Sequence, residues 1–353
     1  MITFAALNAV KILAIGSISC FLSFVLTPIV TYFLYKNRCW RKEVRKKAID
    51  GQDVTNFQRL HGEGEIKTPR MGGILIWLPV LAIAFIFLIL SKFFPEIAYL
   101  NFINRSETWI PLFALFSASL VGLIDDLMQI SDKGGYIAGG LSLKYRIGAF
   151  ALMGLIGGLW CYYKLGWNSV YLPFVGDIPL GWLYIPFFIL VMLACYSGGV
   201  IDGIDGLAGG SFLSIFGAYG FIAFAQGRID LAAFCIAIFG ALLSYLWFNI
   251  PPARFYMGET GSMGLCASLA VVAFFSDAVL VLPIIGFLLV LEAGSVIVQL
   301  ICKKVWKKKL LLAAPLHLHL EAIGWPPYKV TMRFWVIGVV MAILGVIISL
   351  IVF

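Results

Sequence analysis

Residues 109–126 read WIPLFALFSASLVGLIDD, a mainly apolar run that ends in two adjacent carboxylates, Asp125 and Asp126. A run of roughly 17–25 predominantly apolar residues is what an α-helix needs to cross the hydrocarbon core of a bilayer. Carboxylates at its end would stop the helix at the membrane surface, because ionised groups are costly in lipid. The stretch therefore predicts a membrane-spanning helix that carries acidic side chains at one end.

The rest of the chain repeats this pattern, since 61% of its 353 residues are hydrophobic and only 12% are charged. Mean hydropathy is +0.98, whereas about a quarter of the residues of a soluble domain are charged. The sequence therefore predicts an all-α integral membrane protein that forms a single polytopic unit over residues 1–353. The ten predicted transmembrane helices are residues 10–35, 71–91, 109–125, 144–163, 180–201, 207–226, 229–248, 261–276, 278–302 and 331–353.

Positive charge predicts how these helices are oriented. Loops that follow the odd-numbered helices carry most of the 26 Lys and Arg residues, ten of them in 36–70 and seven in 303–333. Cytoplasmic loops are enriched in these residues, so both termini are expected on the extracytoplasmic side. The net charge of +8 then indicates cytoplasmic loops and anionic lipid, and no nucleic-acid partner is expected.

Five polar clusters fall in the same cytoplasmic set of loops, which predicts one composite site on the cytoplasmic face. On the other side, residues 164–180 are typical of a short hairpin-like cap without evident chemistry. The five clusters are TPRMGG (68–73), Asp125-Asp126, DGIDGL (202–207), FNIPPARFYMGETG (248–261) and PLHLHLE (315–321).

Acidic residues in three of these clusters are candidates for metal or phosphate chemistry. Asp125 and Asp126 could hold Mg²⁺ through water or act as a general base, or they could simply end a helix. Asp202 and Asp205 lie among glycines that permit close approach of a phosphate, a ribose or a metal, although a solvated turn has the same pattern. Glu259 lies near the start of a predicted transmembrane helix. It could be a Mg²⁺ ligand, or it could be an acidic residue that stabilises the first turn of the helix.

The histidines and one intramembrane acid leave similar alternatives open. His317 and His319 could hydrogen-bond a pyrophosphate or transfer protons, but their spacing does not suit zinc on one helix face. Five lysines in 303–309 either anchor the chain on the cytoplasmic side or attract anionic substrates. Glu292 lies within a predicted transmembrane helix, where a carboxylate is either functional or paired for structure. The seven scattered cysteines are expected to be small core residues.

Taken together and in order, these motifs resemble the polyprenyl-phosphate N-acetylhexosamine-1-phosphate transferase superfamily. The resemblance covers residues 68–334 and is strongest to the phospho-N-acetylmuramoyl-pentapeptide transferase branch. The stretch PLHLHLEAIGWPPYKVTMRFW (315–335) decides the branch, because the N-acetylglucosamine relatives carry a different histidine motif there.

The resemblance implies a fold, a reaction and a location. The family has ten transmembrane helices, extracytoplasmic termini and a cytoplasmic active site in the bacterial cytoplasmic membrane. With Mg²⁺ it transfers phospho-N-acetylmuramoyl-pentapeptide from UDP-N-acetylmuramoyl-pentapeptide to undecaprenyl phosphate, which forms lipid I and UMP for peptidoglycan synthesis. The expected partners are those two substrates and the lipid bilayer, and a homodimer is left open.

The resemblance also implies roles for individual residues. Asp125 takes the position of a general base or lipid-phosphate contact with Asp126 beside it, and Glu259 takes the metal-ligand position. His317 and His319 match two histidines of a catalytic triplet. The residues expected to bind substrate are Arg70, Lys144, Asp202, Asp205, Asn249 and Tyr256, and Glu292 matches the intramembrane glutamate of the family.

Several positions depart from the family pattern. The metal-ligand position is usually Asp, and here it is Glu259; the middle histidine is Leu318. Gly199 replaces an asparagine, Glu65 replaces a lysine, and Arg70 replaces a threonine as in the N-acetylglucosamine branch. Transfer of N-acetylglucosamine-1-phosphate is therefore the first alternative. A transporter is the second, but its site is expected near the bilayer midplane rather than at one surface.

Overall fold

Long helices make up most of the computed structural model, which describes residues 4–42, 64, 66–105, 107–131 and 140–351. Nine of the helices in these ranges are long and apolar enough to span a membrane, and the number is ten if one bent pair counts as a single span. This confirms the predicted all-helical, multi-pass membrane protein. The helices are α1 (Phe4–Lys36), α2 (Ile74–Phe93), α3 (Trp109–Ser131), α4 (Leu143–Lys164), α5 (Tyr184–Gly198), α6 (Leu207–Ala225), α7 (Ile229–Asn249), α8 (Gly258–Phe275), α9 (Leu282–Ile285), α10 (Phe287–Val305), α11 (Leu316–Ala322) and α12 (Pro327–Ile351).

The ninth predicted helix, 278–302, is wrong as one continuous element. Short α9 and longer α10 meet at a bend of 79°. Gly286 separates them with a ψ of 27°, outside the helical range, and Pro283 lies in the first turn of α9. Hydropathy alone does not detect such a break, because the residues on both sides are equally apolar.

A two-stranded antiparallel sheet follows α4, where the sequence predicted a hairpin-like cap. Strand β1 (Ser169–Leu172) pairs with β2 (Gly176–Pro179), and Val170 lies opposite Ile178. The hairpin is the exception to the all-α expectation, and it lies at the end of the bundle away from the acidic clusters.

Helix α8 lies at the centre of the bundle, and 94% of it is buried compared with 28% of α12. Small residues allow its neighbours to approach closely. A Cβ on Gly264 would lie 2.0 Å from Ser119 Oγ, and one on Gly122 would lie 2.2 Å from the Glu259 carbonyl oxygen. The close packing of α3 on α8 places Asp126 beside the start of α8.

Because successive helices run in opposite directions, alternate connections gather at each end of the bundle. We call the end that carries Asp125, Asp202 and Glu259 the site end, and the end that carries the β-hairpin the opposite end. Part of the 36–70 loop, Lys133 and Glu65 lie outside the described residues.

Candidate active site

Asp126 joins α3 to the first turn of α8. Its Oδ1 accepts a hydrogen bond from the Glu259 backbone N–H at 3.1 Å, and its Oδ2 accepts one from Thr260 N–H at 3.0 Å. The carboxylate is fully buried, and Arg70 Nε lies 3.6 Å from Oδ1. Asp126 therefore satisfies the free N–H groups at the start of a helix, where negative charge is favourable. Its oxygens hold Glu259 in place.

The TPRMGG segment pairs with the residues that precede α8. Gly72 N–H donates to Tyr256 O and Gly73 N–H donates to Met257 O, each at 2.8 Å, while Tyr256 N–H donates to Pro69 O at 2.8 Å. Glycine is needed because a Cβ on Gly73 would lie 2.9 Å from Met257 O. The pairing brings both clusters into one site.

Asp125 is held by a separate set of donors. Its Oδ2 accepts a hydrogen bond from Gln129 Nε2 at 2.6 Å, and its Oδ1 accepts one from Leu141 N–H at 2.5 Å. Buried Arg41 donates in turn to Gln129 Oε1. Sequence reasoning missed Gln129, although its position one helical turn after Asp125 is a usable signal.

Arg146, and not the predicted Lys144, points into the cluster. Arg146 Nη1 donates to Glu259 Oε1 at 3.2 Å, and its Nε lies 4.0 Å from Asp125 Oδ1. The Arg146 side chain is 12% exposed, whereas Lys144 is exposed. Residues two apart lie on different faces of a helix, so only one of the two cations can face the bundle. Substrate binding by Lys144 stays a prediction.

Asp202 lies within range of the same charges. Burial raises the pKa of its carboxyl to about 6; the Arg70 guanidinium opposes this rise, and the Glu259 carboxylate adds to it. The Gly258 N–H also hydrogen-bonds to Asp202 and favours the ionised form. Asp202 thus belongs to the cluster that the start of α8 organises.

Asp205 and Asn249 connect two site loops. Asp205 Oδ2 accepts a hydrogen bond from Ala253 N–H at 3.0 Å. The Asn249 side chain accepts one from Gly206 N–H and donates one to Phe255 O, both at 2.9 Å. These contacts fix the loops relative to each other, and substrate contact by either side chain stays a prediction.

His317 forms a buried pair with Glu292. The His317 Nδ1 lies 2.9 Å from Glu292 Oε2, and the His317 backbone N–H donates to Oε1 at 3.2 Å. The two contacts fix the orientation of the His317 ring, and its other nitrogen, Nε2, is left for other partners. Within the described part of the chain Nε2 has no hydrogen-bond partner, and a Cβ on Gly203 would lie 2.1 Å from it. Nε2 therefore faces the loop that carries Asp202.

His319 takes a different direction from His317. Its Nδ1 accepts a hydrogen bond from Leu312 N–H at 3.2 Å, and the side chain is half-buried. The structure thus brings His317 to the site loops and places His319 against the segment that precedes α11. A catalytic role for His319 stays a prediction.

The atoms of the cluster that could bind a metal ion are carboxylate oxygens. Across the described ranges, no three His, Cys, Asp or Glu side chains converge as ligands of one metal ion. Mg²⁺, however, is often held by one or two carboxylates, with substrate phosphates and water completing its shell. Glu259, with 27% of its side chain exposed, fits such a site.

Comparison with known proteins identifies the family. The family model of glycosyl transferase family 4 matches residues 108–277. A phospho-N-acetylmuramoyl-pentapeptide-transferase from Geobacillus sp. is 30% identical over 96% of this chain and 98% of its own length. Those from Pelagibacter ubique and Chloroflexus aurantiacus are 33% and 34% identical, over 80% and 81% of this chain and 79% and 78% of their own lengths. The resemblance inferred from the motifs is confirmed, and the chain belongs to the phospho-N-acetylmuramoyl-pentapeptide-transferase family.

Proposed function

We propose that this chain transfers phospho-N-acetylmuramoyl-pentapeptide from its UDP donor to undecaprenyl phosphate, with Mg²⁺ as cofactor. The products are lipid I and UMP, and the reaction serves peptidoglycan synthesis. The distribution of Lys and Arg supports a site end that faces the cytoplasm of a bacterium and termini that lie outside it. The chain then works as a single unit in the cytoplasmic membrane, where it meets a soluble donor and a lipid acceptor.

One observation carries this proposal: several buried or half-buried carboxylates and two guanidinium groups from separate loops converge at the site end of the bundle. Arg70 lies beside Asp126, and Arg146 lies between Asp125 and Glu259. Both substrates are anionic, so guanidinium groups favour their approach, and carboxylates give a divalent cation a place to bind. Transfer between phosphates depends mainly on positioning and charge stabilisation.

In the proposed reaction, an oxygen of the lipid phosphate attacks the β-phosphorus of the donor. A new P–O bond forms there while the bond to the bridging oxygen breaks, and its electron pair leaves with UMP. Mg²⁺, when bound, supplies positive charge to the pyrophosphate. A phosphate monoester has a second pKa of about 6, so only a minor fraction of the acceptor still carries a proton near neutral pH. Asp125 takes that proton or orients the attacking oxygen.

The remaining residues bind and orient the donor in this proposal. His317 presents Nε2 to a phosphate oxygen while Glu292 holds its ring. Glu259 binds the metal and Tyr256 lies beside the nucleoside. The residues that complete donor binding are Arg70, Lys144, Asp202, Asp205, Asn249 and His319.

Two other functions have specific points for or against them. Arg70 is typical of N-acetylglucosamine-1-phosphate transferases, and it lies inside the cluster against Asp126, which favours testing that donor. The sequence of residues 315–335 is evidence against that donor, because it resembles the muramoyl-pentapeptide branch. A transporter is disfavoured because the candidate site lies at one end of the bundle instead of near its middle.

The test is release of UMP by purified protein in detergent. The assay contains Mg²⁺, undecaprenyl phosphate and UDP-N-acetylmuramoyl-pentapeptide, with UDP-N-acetylglucosamine as parallel donor and EDTA as control. We expect metal-dependent release from the muramoyl donor alone. If UMP is released only from UDP-N-acetylglucosamine, the transferred sugar is N-acetylglucosamine. If folded protein releases UMP from neither donor, the proposal is refuted. Light scattering on the same sample distinguishes a monomer from a homodimer.

A further inference from the structure

A cleft opens at the site end, between α1 and the segment that precedes α8. Its volume is about 490 Å³, and its lining consists of four residues of α1 and one of the segment between α7 and α8. None of these described lining residues is acidic. They are Pro28, Thr31, Tyr32, Tyr35 and Arg254.

Positive charge lies at the rim of this cleft. The exposed Arg254 side chain forms one wall. Lys36 Nζ lies 5.5 Å from the centre of the Tyr32 ring, which forms another wall. Because two cations lie at the cleft and no described lining residue is acidic, the cleft is suited to an anionic ligand.

A buried hydroxyl provides an independent indication of a ligand. The Thr31 residue is only 6% exposed, and its Oγ1 has no hydrogen-bond partner in the part of the chain that the structure describes. Buried polar groups are nearly always satisfied by protein or water. Thr31 therefore fits a ligand that brings an oxygen into the cleft below the two cations.

Aromatic side chains around the cleft indicate its depth in the membrane. Tyr32 is 61% exposed, Tyr35 is 43% exposed, and Trp247 near the end of α7 is 70% exposed. Exposed Tyr and Trp rings together with Lys and Arg are typical of the boundary between hydrocarbon and headgroups. The cleft thus faces the headgroup layer at the lateral surface of the bundle.

We propose that this cleft binds an anionic glycerophospholipid. Arg254 and Lys36 bind its phosphate, Thr31 hydrogen-bonds a phosphate or ester oxygen, and an acyl chain lies along α1 past Pro28. Tyr35 Oη donates to the Arg254 carbonyl oxygen at 2.9 Å, which fixes the segment that forms this wall.

Native mass spectrometry of the full chain in detergent tests the proposal. The protein is titrated with phosphatidylglycerol and with phosphatidylcholine of identical acyl chains, and inorganic phosphate is added as a competitor. A membrane-surface cation contributes about fivefold to binding of anionic lipid, so the Lys36→Ala/Arg254→Ala double variant should bind phosphatidylglycerol roughly 25-fold more weakly. Thr31→Val should weaken binding without changing charge.

The matched control is the Lys92→Ala/Lys164→Ala double variant, which removes the same charge from exposed positions at the opposite end. It should retain wild-type affinity. The charge-preserving Arg254→Lys variant should keep most of the wild-type affinity for phosphatidylglycerol. This result would show that the Lys36→Ala/Arg254→Ala variant binds weakly because it lacks positive charge and not because it is misfolded. Three results would each overturn the proposal: equal binding of both lipids by wild-type protein, unchanged binding in the Lys36→Ala/Arg254→Ala variant, or displacement of the lipid by inorganic phosphate at comparable concentration.

Discussion

At the opposite end of the bundle, two ion pairs hold connections together. Lys11 Nζ lies 2.7 Å from Asp230 Oδ1, which joins α1 to the start of α7. Arg228 pairs with Asp277 and also donates to the Phe275 carbonyl oxygen, which joins the α6–α7 turn to the end of α8. Each pair joins segments that are distant in sequence, and the Glu107 carboxylate lies beside them, where it accepts a hydrogen bond from Leu231 N–H at 3.2 Å.

At the site end the same kinds of groups are combined differently. Arg146 lies close to both Asp125 and Glu259, and Arg70 lies close to Asp126 while it also influences Asp202. Among the described residues, these four carboxylates therefore lie near two guanidinium groups. The surplus negative charge is what a divalent cation would neutralise, while the guanidinium groups remain suited to phosphate. The two ends also differ in burial, because Asp125 and Asp126 are fully buried, whereas Asp230 and Asp277 are partly exposed.

The largest expected effect comes from Asp125→Asn. If Asp125 accepts a proton or orients the acceptor, turnover should fall roughly 10²–10⁴-fold, the usual contribution of a general base. Rates of UMP release at saturating substrates measure this, and a matching elution profile in gel filtration controls for folding. Near-normal turnover would remove Asp125 from its assigned role.

Arg146→Ala should have the next largest effect, with Lys144→Ala as its matched control. Removing the guanidinium leaves Glu259 and Asp125 without their shared cation, so kcat/KM should fall roughly 100-fold, as for loss of one preorganised donor. Lys144→Ala, at an exposed position two residues earlier, should lower kcat/KM by no more than about fivefold, because a solvent-exposed ion pair with the donor contributes at most about 1 kcal/mol. A larger loss of kcat/KM in Lys144→Ala than in Arg146→Ala would mean that Lys144, and not Arg146, is the more important cation for the reaction.

Glu292→Gln should reduce turnover by roughly 10–100-fold, as expected for a residue that orients a reactive group. Gln keeps the size of the side chain, but it removes one of the two carboxylate oxygens that hold His317. The expected signature is a lower kcat with little change in KM for the donor, and Glu292→Asp should restore part of the rate. A lower melting temperature with unchanged kcat would instead indicate a purely structural pair.

The smallest expected effect comes from Lys11→Ala at the opposite end. Loss of a partly exposed ion pair should cost about 1 kcal/mol of stability. Turnover of the folded protein should be unchanged, because the pair is distant from the carboxylate cluster. Thermal unfolding in detergent measures the loss, with exposed Lys164→Ala as control. A large loss of turnover would contradict the division between the two ends.

Much of the fold was predictable because a bilayer imposes a simple rule on composition. Apolar runs of membrane length predicted nine of the helices with boundary errors of up to six residues, and the polar clusters at alternate connections predicted a single site. The break at Gly286 was not predictable from hydropathy, since Phe287 and Ile285 are as apolar as any residue of a straight helix.

The sequence by itself determined which residue types the site contains and that the loops carrying them meet at one end. Tertiary structure decided which side chain of each candidate pair enters the cluster. His317 reaches Glu292 while His319 accepts a hydrogen bond from Leu312, and Arg146 faces the bundle while its neighbour Lys144 is exposed. The physical reason is that residues two apart on a helix point in different directions. The packing of the neighbouring helices decides which of the two side chains faces the site.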